Sequence, residues 1–239
     1  MTVFAHGLGG SIADTRPLGS GVSGTRVFLS FRGHGASEPL RVGWTYRDLA
    51  DDLLQVADEY GATRAVGTSL GAGALTRLVA DAPGRFERLV FFLPAALDRP
   101  RPVEARSRFA AMVSALEDDD PERLAAVVTL EVPEPNASST AARAYVRQRV
   151  AALRAPGIAE ALRRLPTLTV LPSADALRAV TAPALVLGCA GDPLHPAGVA
   201  QALADALPSA QLHLYPEPGV LWNQRADLRR RISSFLAVR

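Results

Sequence analysis

The sequence predicts an α/β protein whose core is a mostly parallel, six-stranded sheet covered by helices on both faces. Short apolar runs alternate with amphipathic segments along most of the chain, which is typical of βαβ units. One long stretch, at about residues 94–181, instead carries helical patterns only. The length of 239 residues and the 48% hydrophobic content fit one globular domain with an insertion.

The apolar runs predict six strands, which are Thr2–His6, Thr25–Phe31, Ala62–Thr68, Glu87–Leu93, Ala182–Cys189 and Ala210–Tyr215. The segments between and after them predict four core helices, which are Thr45–Tyr60, Ser69–Ala82, Pro196–Leu207 and Gln224–Val238. The helix-only stretch has five candidate helices, at Ala105–Glu117, Pro121–Leu130, Ser138–Leu153, Pro156–Leu165 and Ala174–Val180. We therefore expect a core of residues 1–96 and 173–239, with a helical cap at residues 97–172 over the carboxyl edge of the sheet, where open α/β sheets bind ligands.

The composition excludes several kinds of chemistry. All 26 basic residues are arginine, so Schiff-base chemistry and the phosphate-loop lysine are excluded. The net charge of +2 and the absence of a basic stripe argue against a nucleic-acid partner. The four histidines are dispersed, so we expect no metal site and no cofactor.

The same composition bears on location and partners. The sequence has one cysteine, no long apolar run and no recognisable signal peptide. We therefore expect a cytoplasmic protein with no membrane partner, monomeric or homodimeric, that acts on a small-molecule or peptide-like substrate.

The sharpest local signal is the segment Gly67-Thr68-Ser69-Leu70-Gly71, between a predicted strand and a predicted helix. A serine on so tight a turn needs neighbours without side chains, and Gly67 and Gly71 meet that need. The turn would lift the Ser69 hydroxyl out of the sheet edge. The amide of Leu70 would then open a helix, where N–H groups favour a developing oxyanion.

Three further loops follow predicted strands. They are His6-Gly7-Leu8-Gly9-Gly10, Arg32-Gly33-His34-Gly35-Ala36-Ser37 and Gly191-Asp192-Pro193-Leu194-His195-Pro196. Together with the serine turn, they resemble the α/β-hydrolase family of the capped type over nearly the whole chain. The resemblance implies Ser69 as nucleophile, the amides of Leu8 and Leu70 as the oxyanion hole, and Asp192 as the catalytic acid. The family's usual first two strands have no counterpart here, so Thr25–Phe31 would lie at a sheet edge.

One departure from the family pattern concerns the catalytic base. The family places a histidine after the last strand, but the segment Pro216–Asn223 contains none, and Val220 stands at that position. We therefore expect an incomplete triad, with Val220 and Asp192 beside the place of a missing imidazole and no histidine ring within about 4 Å of the Ser69 hydroxyl. The remaining candidates for the pocket are His6, Gly7, His34, His195 and Trp222. Some arginines of the cap could also face the pocket; they include Arg106, Arg108, Arg143 and Arg147.

Three kinds of function remain open. A serine without a base is a weak nucleophile, so the sequence favours a non-hydrolytic enzyme that uses the oxyanion hole on a carbonyl compound. The reaction would be an isomerisation, epimerisation, elimination or cyclisation, as in some members of the family that act on natural products. Little hydrolysis of activated esters is then expected. The alternatives are a serine esterase, thioesterase or amidase with a relocated base such as His195 or His34, and a binding protein that kept the pocket and lost the chemistry.

Overall fold

In a computed structural model that describes residues 1–237, the chain forms one six-stranded sheet in which every pair of neighbouring strands is parallel. The strands are β1 (Thr2–Ala5), β2 (Arg26–Phe28), β3 (Arg64–Thr68), β4 (Arg88–Phe92), β5 (Ala184–Cys189) and β6 (Ala210–Tyr215). Their order in the sheet is β2-β1-β3-β4-β5-β6, which confirms the predicted fold class and places β2 at an edge.

The α-helices of the described residues follow the predicted pattern closely. They are α1 (Ile12–Gly19), α2 (Tyr46–Glu59), α3 (Leu70–Asp81), α4 (Val103–Glu117), α5 (Pro121–Thr129), α6 (Thr140–Leu153), α7 (Ile158–Arg164), α8 (Ala197–Ala206), α9 (Val220–Asn223) and α10 (Arg225–Ala237). Helices α1 and α9 are additions to the sequence prediction. A six-residue 3-10 helix at Ala174–Ala179 replaces the last helix predicted for the insertion.

Two apolar layers hold the sheet between helices. One layer joins buried residues of the sheet to those of α2, α3 and α8, and the other joins them to those of α1 and α10. Strand β2 is shorter than predicted, because it pairs with β1 on one side only and its residues are partly exposed.

The parallel sheet brings the loops with the candidate site residues to one edge. Ala5 at the end of β1 lies opposite Gly67 in β3, so the segments His6–Gly10 and Ser69–Leu70 leave the sheet side by side. The order of strands reverses between β1 and β3, which is the point where open α/β sheets bind ligands.

Between β4 and β5 the described chain forms helices and turns only. We keep the name cap for residues 97–172, with the limits proposed from the sequence. The guanidinium of Arg101 joins the cap to the core, because it donates to the carbonyls of Leu165 and Leu168 and, at 2.8 Å, to the hydroxyl of Tyr46. Arg164 makes a second link, at 2.6 Å, to the carbonyl of Trp44.

None of the helices described for residues 1–237 combines the length and the apolar character that a membrane span requires.

Candidate active site

Ser69 lies on a tight turn between β3 and α3, where the sequence predicts it. Its backbone has φ 51° and ψ −108°, in a region that residues with a side chain rarely adopt. A Cβ at Gly67 would lie 2.5 Å from the carbonyl oxygen of Gly71, and one at Gly71 would lie 2.5 Å from that of Ala5. The turn can therefore form only with glycine at both positions, and the surrounding packing holds Ser69 in its strained conformation.

The Ser69 hydroxyl does have a histidine partner. The Nε2 atom of His195 lies 2.9 Å from Ser69 Oγ, and the Nδ1 atom of the same ring lies 2.8 Å from Asp192 Oδ2. The sequence prediction that no histidine ring approaches Ser69 is therefore wrong. Serine, imidazole and carboxylate form a continuous chain of hydrogen bonds, the arrangement of a nucleophile, a general base and the group that orients the base.

A short turn after β5 explains how His195 reaches Ser69 from an unexpected loop. Gly191 has φ +74°, which turns the chain directly after the strand. Asp192 Oδ1 then accepts hydrogen bonds from the amides of Leu194 and His195, at 2.9 and 3.2 Å. This turn folds the His195 ring back onto the second oxygen of the same carboxylate, so the carboxylate and the imidazole come from residues only three positions apart.

The charge state of Asp192 fixes the tautomer of His195. Burial alone would raise the pKa of Asp192, but the bonds from the His195 ring and from the amides of Leu194 and His195 outweigh burial and hold that pKa below its ordinary value. An ionised carboxylate only accepts hydrogen bonds, so Nδ1 of His195 carries the hydrogen and Nε2 presents a lone pair to Ser69. The side chains of His195 and Asp192 are 17% and 19% exposed, so the site is sheltered but still reachable.

The loop after β1 lies against Ser69. A Cβ at Gly7 would be 3.3 Å from the Cβ of Ser69 and 3.9 Å from its hydroxyl oxygen. The carbonyl of Gly7 accepts hydrogen bonds from His6 Nδ1 at 2.8 Å and from the Gly10 amide at 3.0 Å. The Leu8 amide donates no hydrogen bond within residues 1–237, so it is available to bind an oxyanion.

The second candidate donor is the amide of Leu70, the first residue of α3. Amides in the first turn of a helix have no acceptor within that helix, and the Ser69 side chain makes no capping bond to them. The helix dipole favours negative charge at this end. The assignment of the Leu8 and Leu70 amides as an oxyanion hole remains a proposal, and these observations support it.

His6 and His34 brace the loops and do not line an open pocket, which corrects that part of the sequence interpretation. His6 is fully buried, and its Nε2 accepts from the Phe31 amide at 3.2 Å. His34 is 3% exposed; its Nε2 accepts from the Gly9 amide at 2.9 Å, and its Nδ1 donates to the Arg32 carbonyl at 3.0 Å. Both rings are neutral with a fixed tautomer, and burial lowers the pKa of His34 to about 4.

We expect this buried histidine to make the protein less stable in mild acid. An unfolded His34 binds a proton below about pH 6.5, whereas the folded one binds it only near pH 4, so the free energy of unfolding falls as the pH drops through that window, by up to about 3 kcal/mol from His34. Urea unfolding between pH 7 and pH 4 measures the slope. His34→Gln should flatten the slope, and the matched variant His213→Gln, in a half-exposed part of β6, should keep most of it. An equal slope in His34→Gln and the wild type would refute the assignment.

The loop after β6 contains no histidine, and two of its side chains contact the cap instead. Val220 is 2% exposed and packs in the apolar layer that includes Leu228 and Ile232. The Trp222 ring packs edge-on against Tyr145 of the cap, with centroids 5.5 Å apart, and Asn223 accepts a hydrogen bond from Asn136 of the cap at 3.0 Å. Trp222 was predicted to line the pocket, and its observed contact is with the cap.

The sequence interpretation missed a polar cluster where the cap meets the loop after β1. Arg149 on α6 donates from Nη1 to the Leu8 carbonyl at 2.5 Å, and its Nε lies 3.4 Å from Glu131 Oε2. The same carboxylate oxygen accepts from the Tyr145 hydroxyl at 2.5 Å. Arg149 sits on an arginine-rich helix with Arg143 and Arg147, and nothing in the spacing marks it as the one that turns inward.

Cys189, the last residue of β5, is buried, and burial raises the pKa of its thiol to about 12. It therefore stays protonated and unreactive at neutral pH. Among the residues that the structure describes, no three histidine, cysteine, aspartate or glutamate side chains gather as metal ligands.

The chain resembles known proteins over nearly its whole length. Residues 2–229 match the sequence profile described as the alpha/beta hydrolase family. A protein of Variovorax paradoxus (strain S110), which carries the provisional name carbamate hydrolase RutD, is 30% identical over 244 residues, covering 98% of this chain and 91% of that protein.

Solved structures show the same fold. An enol-lactonase from Burkholderia xenovorans LB400 superposes with a TM-score of 0.82 at 20% identity, covering 99% of this chain and 91% of that one. An esterase from Exiguobacterium antarcticum superposes with a TM-score of 0.79 at 16% identity, with the same two coverages. At these identities the likeness extends to the fold alone.

Proposed function

The chain belongs to the alpha/beta hydrolase family, and within it we propose that this protein is a serine hydrolase of small acyl compounds, in which Ser69 is the nucleophile, His195 the general base and Asp192 the group that orients the base. The observation that carries the proposal is the chain of hydrogen bonds from Ser69 Oγ through the His195 ring to Asp192, at 2.9 and 2.8 Å. A neutral imidazole in this position can take the serine proton as the oxygen attacks.

Acylation uses these groups in sequence. Ser69 Oγ attacks the carbonyl carbon of an ester while its proton passes to His195 Nε2, and the carbonyl oxygen becomes an oxyanion held by the amides of Leu8 and Leu70. The resulting imidazolium is stabilised by ionised Asp192. His195 then gives the proton to the alkoxide that leaves, and the substrate's acyl group remains on Ser69.

Deacylation repeats these steps with water. His195 Nε2 takes a proton from a water molecule, whose oxygen attacks the acyl carbon, and the same two amides hold the second oxyanion. The proton then returns to Ser69 Oγ as its bond to the acyl group breaks. The products are a carboxylic acid and a free enzyme in its starting protonation state.

The hypothesis of a non-hydrolytic reaction rested on the lack of a base beside Ser69. With His195 bonded to the hydroxyl, that reason no longer applies, and the relocated-base alternative explains the geometry with no further group. An oxyanion hole alone gives only about 10³- to 10⁴-fold acceleration over water, so a complete triad points to a nucleophilic mechanism.

The relatives indicate which acyl compounds to test. The names of those described above include a carbamate hydrolase, a lactonase and an esterase. Carbamates, lactones and esters all present a carbonyl to a serine nucleophile. We propose a carbamate, a carboxylic ester or a lactone as the substrate class.

The direct test is turnover of a short-chain p-nitrophenyl ester together with labelling of the protein by a fluorophosphonate. We expect steady turnover of the ester and one label per chain on Ser69. If deacylation is slow, a burst of one p-nitrophenol per chain should precede the steady turnover. Ser69→Ala should lose both signals, and the matched variant Ser233→Ala, on α10, should keep both. A wild-type protein that gives neither turnover nor label would overturn the proposed function.

A further inference from the structure

We infer that Arg149 of the cap is a positioning residue for the oxyanion hole, so that the hole is complete only when the cap is seated on the core. The inference rests on the proposed function, because it concerns the donor amide of Leu8. Arg149 lies 141 positions from Leu8 in the sequence, and its guanidinium contacts the loop from the opposite side of the cap–core boundary.

The peptide unit that follows Leu8 is held at both ends. Arg149 Nη1 donates to the carbonyl of Leu8, and the amide of Gly9 donates to Nε2 of His34 at 2.9 Å. A Cβ at Gly9 would lie 2.7 Å from Arg149 Nη1, so the guanidinium rests directly on the backbone. This peptide unit therefore cannot rotate without breaking a charge-assisted hydrogen bond.

The peptide unit that precedes Leu8 is held as well, by bonds from His6 and Gly10 to the Gly7 carbonyl. The Leu8 N–H belongs to this preceding unit, so the bonds to the Gly7 carbonyl set its direction, and the unit that follows limits how far the Leu8 backbone can shift. Of the four groups that hold these two peptide units, three belong to the core, and Arg149 alone comes from the cap.

Arg149 is itself fixed by the cap. Its side chain is 20% exposed, and the Glu131 side chain beside it is 15% exposed. Burial would lower the pKa of Arg149, but the charges of Glu131, Tyr145 and Asp14 and the bond to Glu131 together outweigh burial and raise that pKa, so the guanidinium stays charged. A charge so far removed from water is costly unless it is paired, and here it is shared between Glu131 and a core carbonyl.

The Arg149 guanidinium, held between Glu131 and the Leu8 carbonyl, gives the cap a role in catalysis. When the cap is seated, Leu8 is held with its amide available to the oxyanion. When the cap moves away, the Leu8 carbonyl loses its partner and the loop gains freedom. Preorganised donors stabilise a transition state far better than mobile ones.

The test compares Arg149→Met, Arg149→Lys and the matched control Arg147→Met, an exposed arginine on the same helix. Turnover of a p-nitrophenyl ester gives kcat and KM, and the fluorophosphonate labelling rate reports on Ser69 directly. We expect Arg149→Met to lower kcat by about 10- to 100-fold with KM changed less than about threefold, somewhat less than the loss of a whole oxyanion donor. Arg149→Lys should recover most of the activity, since an ammonium can also donate to the Leu8 carbonyl, and Arg147→Met should behave as wild type.

Several outcomes overturn the inference. One is an unchanged kcat in Arg149→Met. Another is a rise in KM alone, which would make Arg149 a substrate contact. A third is an Arg149→Lys variant as impaired as Arg149→Met, which would indicate a packing role.

Should Arg149→Met fail to fold, Arg149→Gln, which is shorter and neutral, is judged by the same kcat criterion. If the wild type hydrolyses the ester and Arg149→Met does so equally well, this inference alone fails. If the wild type shows neither turnover nor label, the proposed function and the inference fall together.

Discussion

His195→Ala is expected to lower kcat for an activated ester by about 10⁶-fold, because a triad without its base retains only binding and oxyanion stabilisation. The Ser69 hydroxyl would keep its place on the turn after β3 but lose the acceptor now 2.9 Å away. Stopped-flow or long-term assays of p-nitrophenyl ester hydrolysis measure the loss. Added imidazole should restore part of the activity by occupying the vacated space.

The matched control for this variant is His213→Ala. His213 packs against the ring of Tyr215 in β6 and makes no recorded bond to Ser69 among residues 1–237. It should therefore keep wild-type kcat. A loss smaller than about tenfold in His195→Ala would disprove the assignment of His195 as base, since removal of a true base costs several orders of magnitude.

Asp192→Asn is expected to lower kcat by about 10⁴-fold through the tautomer of His195. The amide oxygen of asparagine can keep the two hydrogen bonds from Leu194 and His195, so the turn after β5 should survive. Its NH2 group then points at His195 Nδ1 and forces that nitrogen to accept. The hydrogen moves to Nε2, which can no longer take the proton of Ser69.

Glu217→Gln is the control for this second change, because Glu217 is an exposed acid at the same edge of the sheet. It should leave kcat unchanged, and thermal unfolding should show both variants folded. An Asp192→Asn protein with wild-type kcat would mean that the carboxylate serves the turn alone.

Local sequence signals were sufficient for most of the fold. The alternation of apolar runs and amphipathic segments located all six strands, and Gly67 and Gly71 marked the turn that carries Ser69. Helix α1 was missed because Pro17 interrupts its pattern. Its capping box, in which Ser11 and Asp14 bond each other's amides, was a usable signal.

The position of the base was not predicted from the sequence, although His195 was among the candidates. The loop after β6 lacks a histidine, and that absence predicts an incomplete triad. Whether a ring three positions from Asp192 can turn back onto it depends on the backbone after Gly191, and spacing alone does not show that direction. An aspartate that caps the next turn and a histidine at its end were the available signal.

The sequence likewise does not predict that the Arg149 side chain points towards the core. Helix α6 carries several arginines, and which one meets the core depends on how the cap is rotated against the loop after β1. Such a contact between residues more than a hundred positions apart is set by tertiary packing, which local patterns do not encode.

The unusual placement of His195 has a consequence for how this protein can diversify. His195 and Asp192, the proposed base and its orienting acid, occupy one short turn, and the loop from Pro216 to Asn223 instead contacts the cap through Trp222 and Asn223. Mutations that reshape the cap seat can therefore alter which substrates enter while leaving the basicity of the imidazole untouched. The proposed proton-transfer pair and the loop that seats the cap therefore lie on separate pieces of chain, and the bond from Arg149 to the Leu8 carbonyl is the link through which a change in the cap would still reach the reaction.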